Sequence, residues 1–185
     1  MKPSVDVILQ SVQRWFEQVV LGLNLCPFAH KPQREGRIKF SVSMADSTSA
    51  CLQDLSLNLR KLDQQDDIET LVLICGNFLD DFDDYNQFLD LADQLLASEG
   101  WEGIYQIASF HPDYCFEGNK PDDRANWTNR SPYPLLHLIR EDSISRAVAS
   151  HPDVDAIPAM NIERLETMSD DEFTTLFPDS QKKPG

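Results

Sequence analysis

Histidine, cysteine and arginine gather between Ser109 and Glu141 of this 185-residue chain, and most of its candidate chemistry lies there. His111 stands in Ser-Phe-His-Pro-Asp, directly after a predicted strand that ends at Phe110. Parallel α/β sheets bind ligands outside the carboxyl ends of their strands, so an imidazole at this place can serve as acid, base or metal ligand. The competing reading is a structural histidine whose ring bonds Asp113 or a backbone carbonyl of the long loop. Asp113 is itself a candidate ligand-binding residue.

The second group is Asn129-Arg130-Ser131-Pro132. Ser131 can cap a helix beginning at Pro132, which would leave backbone N–H groups beside the Arg130 guanidinium for a carboxylate or phosphate. On that predicted helix His137, Arg140 and Glu141 share a face by spacings of three and four. His137 and Glu141 are then further acid–base candidates, and Asn129, Arg130, Ser131 and Arg140 are ligand-binding candidates. The alternative has Arg130 anchoring the loop to an internal carboxylate, with a surface salt bridge beyond.

Cys26, far from the loop in sequence, opens Cys-Pro-Phe-Ala-His. Its thiol can stand at the N-cap of a short helix with Pro27 at the first position, where the helix N-terminus lowers a thiol pKa, and His30 can add to this. Against that, Leu25 and Phe28 suggest a hydrophobic corner and plain packing. His111 with Cys115 and Cys26 with His30 would make a four-ligand zinc set if the segments met, although the spacings fit no recognised finger. Cys51 and Cys75 sit on apolar faces and read as core. Asp80 to Asn86 resembles a calcium loop but lacks the glycine and glutamate it needs. No P-loop, GxGxxG, HExxH or GxSxG is present, and nothing names a cofactor.

These groups need a scaffold, and its periodicities are readable. Apolar residues at spacings of three and four predict a helix from Ser4 to Leu23, ended by Gly22 and Asn24. Arg37 to Met44 alternates as a half-buried strand. Asp46 or Ser47 can cap a helix whose inner stripe is Cys51, Leu52, Leu55, Leu59 and Leu62. Thr70 to Cys75 is a continuous apolar run, as in a strand covered on both faces. A helix from about Asp83 to Ser98 carries Phe88, Leu91, Ala92, Leu95 and Leu96 inward, and Ile104 to Phe110 is a third strand. The order predicts an α/β layered sandwich around a small, largely parallel sheet of at least three strands, with a long functional loop from His111 to Pro134 and C-terminal helices. Those helices are expected at about Pro134 to Arg140, Ser143 to Ser150, Asn161 to Met168 and Asp170 to Phe177, the last with Ser169 and Glu172 in capping-box spacing. Residues 1–178 read as one domain, with 179–185 a frayed tail.

The chain carries 31 acidic and 16 basic residues, a formal charge of −15. No stretch of clustered Lys and Arg offsets this, which argues against nucleic acid and anionic membrane as partners. The acidic surplus reads first as a solubilising surface and otherwise as a docking face for a basic protein. No membrane-length apolar run or export signal is evident, so a cytoplasmic chain with reduced cysteines is expected, and the Asn126-Trp127-Thr128 sequon is incidental.

Leu25-Cys26-Pro27-Phe28-Ala29, Ser109-Phe110-His111-Pro112 and Asn129-Arg130-Ser131-Pro132-Tyr133-Pro134, with His137-Leu138 and Arg140-Glu141, together resemble the bacterial domain-of-unknown-function family 1415. The resemblance runs from the first helix to about Met168 and implies a cytoplasmic bacterial protein, without assigning roles to the motif residues. The residues themselves point to a small-molecule enzyme with His111 as acid or base, Arg130 orienting an anionic group and Cys26 as thiol nucleophile, all converging on one pocket. The alternatives are a non-catalytic anion-binding module and an acidic protein-interaction domain.

Overall fold

The computed structural model describes residues 3–150 and 153–181; of the tail expected to fray over 179–185, the start belongs to a 3₁₀ turn, Pro178–Gln181, and 182–185 lie outside the described residues. Helix α1, Val5–Trp15, begins where the Ser4 hydroxyl accepts from the Val7 N–H at 3.4 Å. It widens into a π-helical stretch, Phe16–Leu21. That widening brings the Gln18 carbonyl oxygen to 2.2 Å from where a Cβ of residue 22 would stand, which explains Gly22. Asn24 then turns the chain away with a φ of 54°, a conformation asparagine tolerates. A one-turn 3₁₀ segment, Pro27–Ala29, and the short α2, His30–Arg34, lead into β1, Ile38–Ser43.

β1, α3 (Thr48–Gln64) and β2 (Thr70–Cys75) form a parallel crossover unit, and α4 (Phe82–Ser98) carries the chain on to β3 (Tyr105–Phe110). Of the two proposed caps for α3 the structure uses Ser47, whose hydroxyl accepts from Ala50 N–H at 3.4 Å. Asp81 caps α4 through the Asp83 and Asp84 N–H groups at 2.9 and 3.0 Å, so this acidic run complements a helix N-terminus. Leu91 does not face inward as expected: it is 38% exposed, and Tyr85 joins Phe88, Ala92 and Leu96 on the buried stripe.

The sheet departs from the sequence reading in one decisive way. Leu135–Arg140 is not a helix but a fourth strand, β4, inserted between β2 and β3 and antiparallel to both, giving the order β1-β2-β4-β3. The sheet is therefore mixed, with one parallel and two antiparallel pairings, rather than largely parallel. The physical reason is burial on both faces. Leu135, Leu136 and Leu138 are all buried, so the strand lacks the polar alternation that identifies a half-exposed one, and a short apolar run fits either period. The edge strands keep exposed polar residues, Lys39 on β1 and Gln106 on β3.

One sheet face is covered by α3 and α4, with Leu55, Leu59, Leu71, Leu73, Tyr85, Phe88, Leu136 and Leu138 in its core. Cys51 and Cys75 belong to that core as expected, their sulfurs 3.8 Å apart. Three rows cross the opposite face: Val42, Ile74, Leu135 and Phe110; then Phe40, Val72, His137 and Ala108; then Ile38, Thr70, Ile139 and Gln106. α1 lays Ile8 and Val12 on the first row and on Val72. In the third row Ile38 packs against α1 and the π-helical stretch, while Thr70, Ile139 and Gln106 belong to no core cluster. After β4 come α5 (Glu141–Ser150), α6 (Ile157–Glu166) and α7 (Asp170–Leu176), the last capped by Ser169 as predicted. α6 and α7 bury Leu165, Met168, Phe173 and Phe177 against Val19, Leu25 and Trp127. Among the described residues no helix is long and apolar enough to cross a membrane.

Candidate functional site

The loop from His111 to Pro134 turns its chemistry inward. His111 has no exposed surface. Its Nδ1 accepts from the Asp113 N–H at 3.0 Å, so the other ring nitrogen, Nε2, carries the proton and donates it to the Leu79 carbonyl at 3.0 Å. Those two bonds fix the neutral tautomer, and burial pushes its pKa down. The ring lies against Phe82 and Tyr85 at 5.1 and 5.0 Å, and its bond holds Leu79 in a left-handed conformation, φ 70°. Of the two readings open to the sequence, this geometry is that of the structural histidine.

The loop arginine and amides are engaged in the same way. Arg130 stacks over Trp127 at 4.7 Å, donating from Nε to the Tyr114 carbonyl at 3.0 Å and from Nη2 to the Pro121 carbonyl at 2.7 Å. Its anchor is backbone carbonyls rather than the internal carboxylate expected. Asn129 donates to the Ser109 carbonyl at 3.2 Å. Ser131 caps no helix, because none follows; its hydroxyl donates to the Tyr133 carbonyl at 2.6 Å and shapes the turn into β4. Asn126, fully buried on the 3₁₀ turn Arg124–Thr128, accepts from the Phe116 N–H and the Asn119 amide at 3.0 and 3.1 Å and donates to the Lys120 carbonyl at 2.7 Å. Its sequon is thus closed to modification in the folded chain.

Because β4 is a strand, His137 and Arg140 point to opposite faces and share no helical surface with Glu141. Arg140 closes the C-terminus of α3, donating to the Leu62 and Gln65 carbonyls, and its Nη1 reaches the Tyr105 hydroxyl at 3.3 Å. Glu141 begins α5, its N–H donating to the Ile104 carbonyl at 2.9 Å. His30 bonds Asn24 at 3.0 Å rather than Cys26, and among the described residues no group of three or more His, Cys, Asp and Glu side chains could hold a metal ion. The four zinc ligands considered above do not assemble.

A cavity of about 580 Å³ opens instead on the half-bare sheet face. Ile38, Thr70, His137 and Ile139 form its floor, Cys26 to Ala29 one wall, and Ser143, Ile144 and Ala147 of α5 the other. Lys31, Glu35, Arg37, Glu69 and Arg146 stand among its lining. His137 Nε2 pairs with the Thr70 hydroxyl at 3.0 Å, and Nδ1 has no partner among the described residues. Burial pushes the His137 pKa down to about 4, so the imidazole is neutral at physiological pH.

Cys26 takes the predicted N-cap position, but burial raises its pKa and the Phe28 and Ala29 amides offset only part of that. It is a thiol, not the activated thiolate the sequence suggested. Burial opposes the charge of Glu69, but the Ser143 hydroxyl and the Arg37 and Arg146 guanidiniums outweigh it and hold that carboxyl below its ordinary value. Glu69 joins Arg37 at 2.9 Å to Arg146 at 3.4 Å.

Of the residues singled out in the sequence, Cys26 and His137 therefore meet on one cavity, and His111 and Arg130 do not line it. Thr70, Lys31, Arg37, Glu69, Ser143 and Arg146 were missed. One signal was available: Lys31, Arg34, Arg37 and Lys39 place 4 of the 16 basic residues within nine positions, against one acid, Glu35. This corrects the impression of a chain without clustered cations.

The family profile described as "Protein of unknown function (DUF1415)" matches residues 7–175. Comparison with curated proteins and with solved structures gives no match.

Proposed function

The chain belongs to this family of unknown function, and we propose that it works in the cavity on the sheet face, binding a small anionic molecule there and acting on it. The observation that carries the reading is that a neutral imidazole, its Nδ1 unpartnered among the described residues, and a thiol line the same space. Elsewhere His111 has both ring nitrogens bonded. His137 would take a proton at Nδ1, and an anion bound beside it would raise its pKa toward the working range. Cys26 needs a base to become a nucleophile, and His137 is the base that lines its cavity. Lys31 and Arg146 would attract and hold the anionic group.

A non-catalytic binding role in the same cavity is favoured by the burial of both reactive groups, which works against the charged form of each. A thermal-shift screen of anionic metabolites on wild type, Ala147→Trp, His137→Gln and Arg130→Ala separates these readings. Stabilisation should vanish in Ala147→Trp, which fills the cavity, and persist in Arg130→Ala relative to that variant's own baseline. Turnover lost in His137→Gln with binding retained would make the protein an enzyme, and binding without turnover in wild type would make it a binder. Stabilisation that survives Ala147→Trp and disappears in Arg130→Ala would return the site to the loop and sink the proposal.

A further inference from the structure

If the cavity is the working site, as proposed above, its lining also bears on what kind of molecule it takes. Its floor and walls are mainly apolar: Pro27, Phe28, Ile38, Ile139, Ile144 and Ala147. Its volume of about 580 Å³ lies within the range of small-ligand pockets. Its polar lining includes the Thr70–His137 pair, the Cys26 thiol and the Ser143 hydroxyl, all uncharged at neutral pH, and the Glu69 carboxylate, which Ser143, Arg37 and Arg146 already engage. An interior of this kind favours an apolar body and gives a buried charge no counter-ion.

The charged lining residues are unequal in what they have left to offer. Arg37 is held by Glu69 at 2.9 Å and Glu35 at 3.7 Å, and donates to the Asp66 and Asp67 carbonyls at 3.3 Å each. Arg146 uses only Nη2, toward Glu69 at 3.4 Å and the Ser143 hydroxyl at 3.1 Å. Its Nε and Nη1, and the whole Lys31 ammonium group, have no partner among the described residues. Glu69 thus ties Arg146 to the sheet side and leaves most of its guanidinium available. Lys31 adds a second cation on the side of α2, unpaired among the described residues. In a chain of formal charge −15, the three cations Lys31, Arg37 and Arg146 against the two carboxylates Glu35 and Glu69 give this lining a net positive formal charge.

We infer that the ligand is an amphipathic organic anion, a carboxylate or phosphate monoester whose head meets Arg146 and Lys31 and whose apolar body lies over Phe28, Ile139 and Ile144. A free inorganic anion would leave the apolar walls unused, and a neutral or cationic amphiphile would leave the guanidinium and ammonium unanswered. The head would be read by charge-assisted hydrogen bonds, the body by area removed from water.

Calorimetric titration with octanoate, octyl phosphate, octanol, octylammonium and inorganic phosphate tests this, with the His137 ring resonances followed by NMR to locate binding. Octanoate or octyl phosphate should bind about tenfold or more tighter than octanol and octylammonium. The ratio between the two anions identifies the preferred head. Shortening octanoate should weaken binding by about fourfold per methylene removed. Lys31→Ala with Arg146→Ala should bring octanoate down to the level of octanol while leaving octanol itself unchanged. Ala147→Trp should remove the His137 response to both anions.

Octanol or octylammonium binding as tightly as octanoate would overturn the inference, as would inorganic phosphate matching octyl phosphate. A general fragment set separates the two levels of failure. If fragments of other chemistry move the His137 resonances and Ala147→Trp abolishes the effect, the cavity stands and only the ligand class is wrong. If no compound gives an Ala147→Trp-sensitive response, the cavity reading falls with it.

Discussion

The loop from His111 to Pro134 and the cavity on the sheet face hold similar residue types in opposite states. In the loop, His111 has both ring nitrogens bonded, Arg130 donates to two carbonyls while covering Trp127, and Asn126 serves four partners from full burial. Arg124 does the same for the C-terminal helices, donating to the Leu165 and Met168 carbonyls across the Phe173 ring. In the cavity, among the described residues, His137 has a ring nitrogen to spare, Lys31 is unpaired and Arg146 uses one nitrogen of three. A chemistry-rich segment without regular structure needs its polar side chains to satisfy its own backbone, since buried carbonyls and N–H groups must find partners. A cavity floored by a sheet whose backbone is already paired leaves its side chains free. Donor inventory, more than residue type, separates the two.

The sharpest way to break that contrast is Asn126→Ala. It empties a buried side-chain site and strands the half-buried Phe116 N–H and the Lys120 carbonyl, and should destabilise the fold by about 2–4 kcal/mol in urea unfolding, leaving the His137 resonances in place. A loss below about 1 kcal/mol would mean that the loop does not depend on this network.

The same contrast explains what could be read from the sequence. α1, β1, β2, α3 and α4 were legible because each is amphipathic or a short apolar run, and the cap at Ser47 could be named in advance. β4 was not, because Leu-Leu-His-Leu-Ile-Arg is buried on both faces and Ser131-Pro132 before it imitates a helix start. That misreading carried the site with it. On a helix His137 belongs beside Arg140 and Glu141, whereas on a strand it lies in register with Val72 and Ala108, one row from Thr70. The approach of Cys26 to His137's cavity depends on strand order and on α1 covering only part of the sheet, and neither is encoded locally. His111 was placed correctly at a strand end, but the partners that engage its ring, Leu79 and the Asp113 N–H, are a matter of tertiary geometry.

A smaller effect, readable by pH, follows from His137. Its folded pKa of about 4 lies below the ordinary 6.5, so between these values the unfolded chain binds more protons than the folded one. The corresponding stability is fully present above pH 6.5 and is lost as pH falls toward 4, by about 2–3 kcal/mol. His111, also shifted down, acts in the same direction. Urea unfolding of wild type and His137→Gln at pH 7 and pH 4.5 isolates the cavity's share: the variant should lose less on acidification. Equal losses would show that His137 takes up a proton in the fold as readily as in the unfolded chain.

The smallest effect separates the cysteines of the two regions and needs no unfolding. Cys115 of the loop donates toward the Phe116 and Asn119 carbonyls at 3.7 and 3.5 Å, whereas Cys26 lines the cavity with its pKa raised by burial. Iodoacetamide should therefore modify Cys26 slowly at pH 7 and about tenfold faster for each pH unit up to its pKa, because only the thiolate reacts. Any molecule filling the cavity should slow Cys26 and leave Cys115 unchanged, with peptide mass spectrometry reporting both sites in one sample. Protection of both cysteines together would mean that ligand tightens the whole fold. Protection of Cys115 alone would put the working site back in the loop, where the residue types first pointed. Since His137→Gln removes the base from the cavity without filling it, the rate at Cys26 in that variant also tells whether imidazole and thiol exchange a proton: a fall at fixed pH means they do, and an unchanged rate leaves His137 to act on the bound molecule alone.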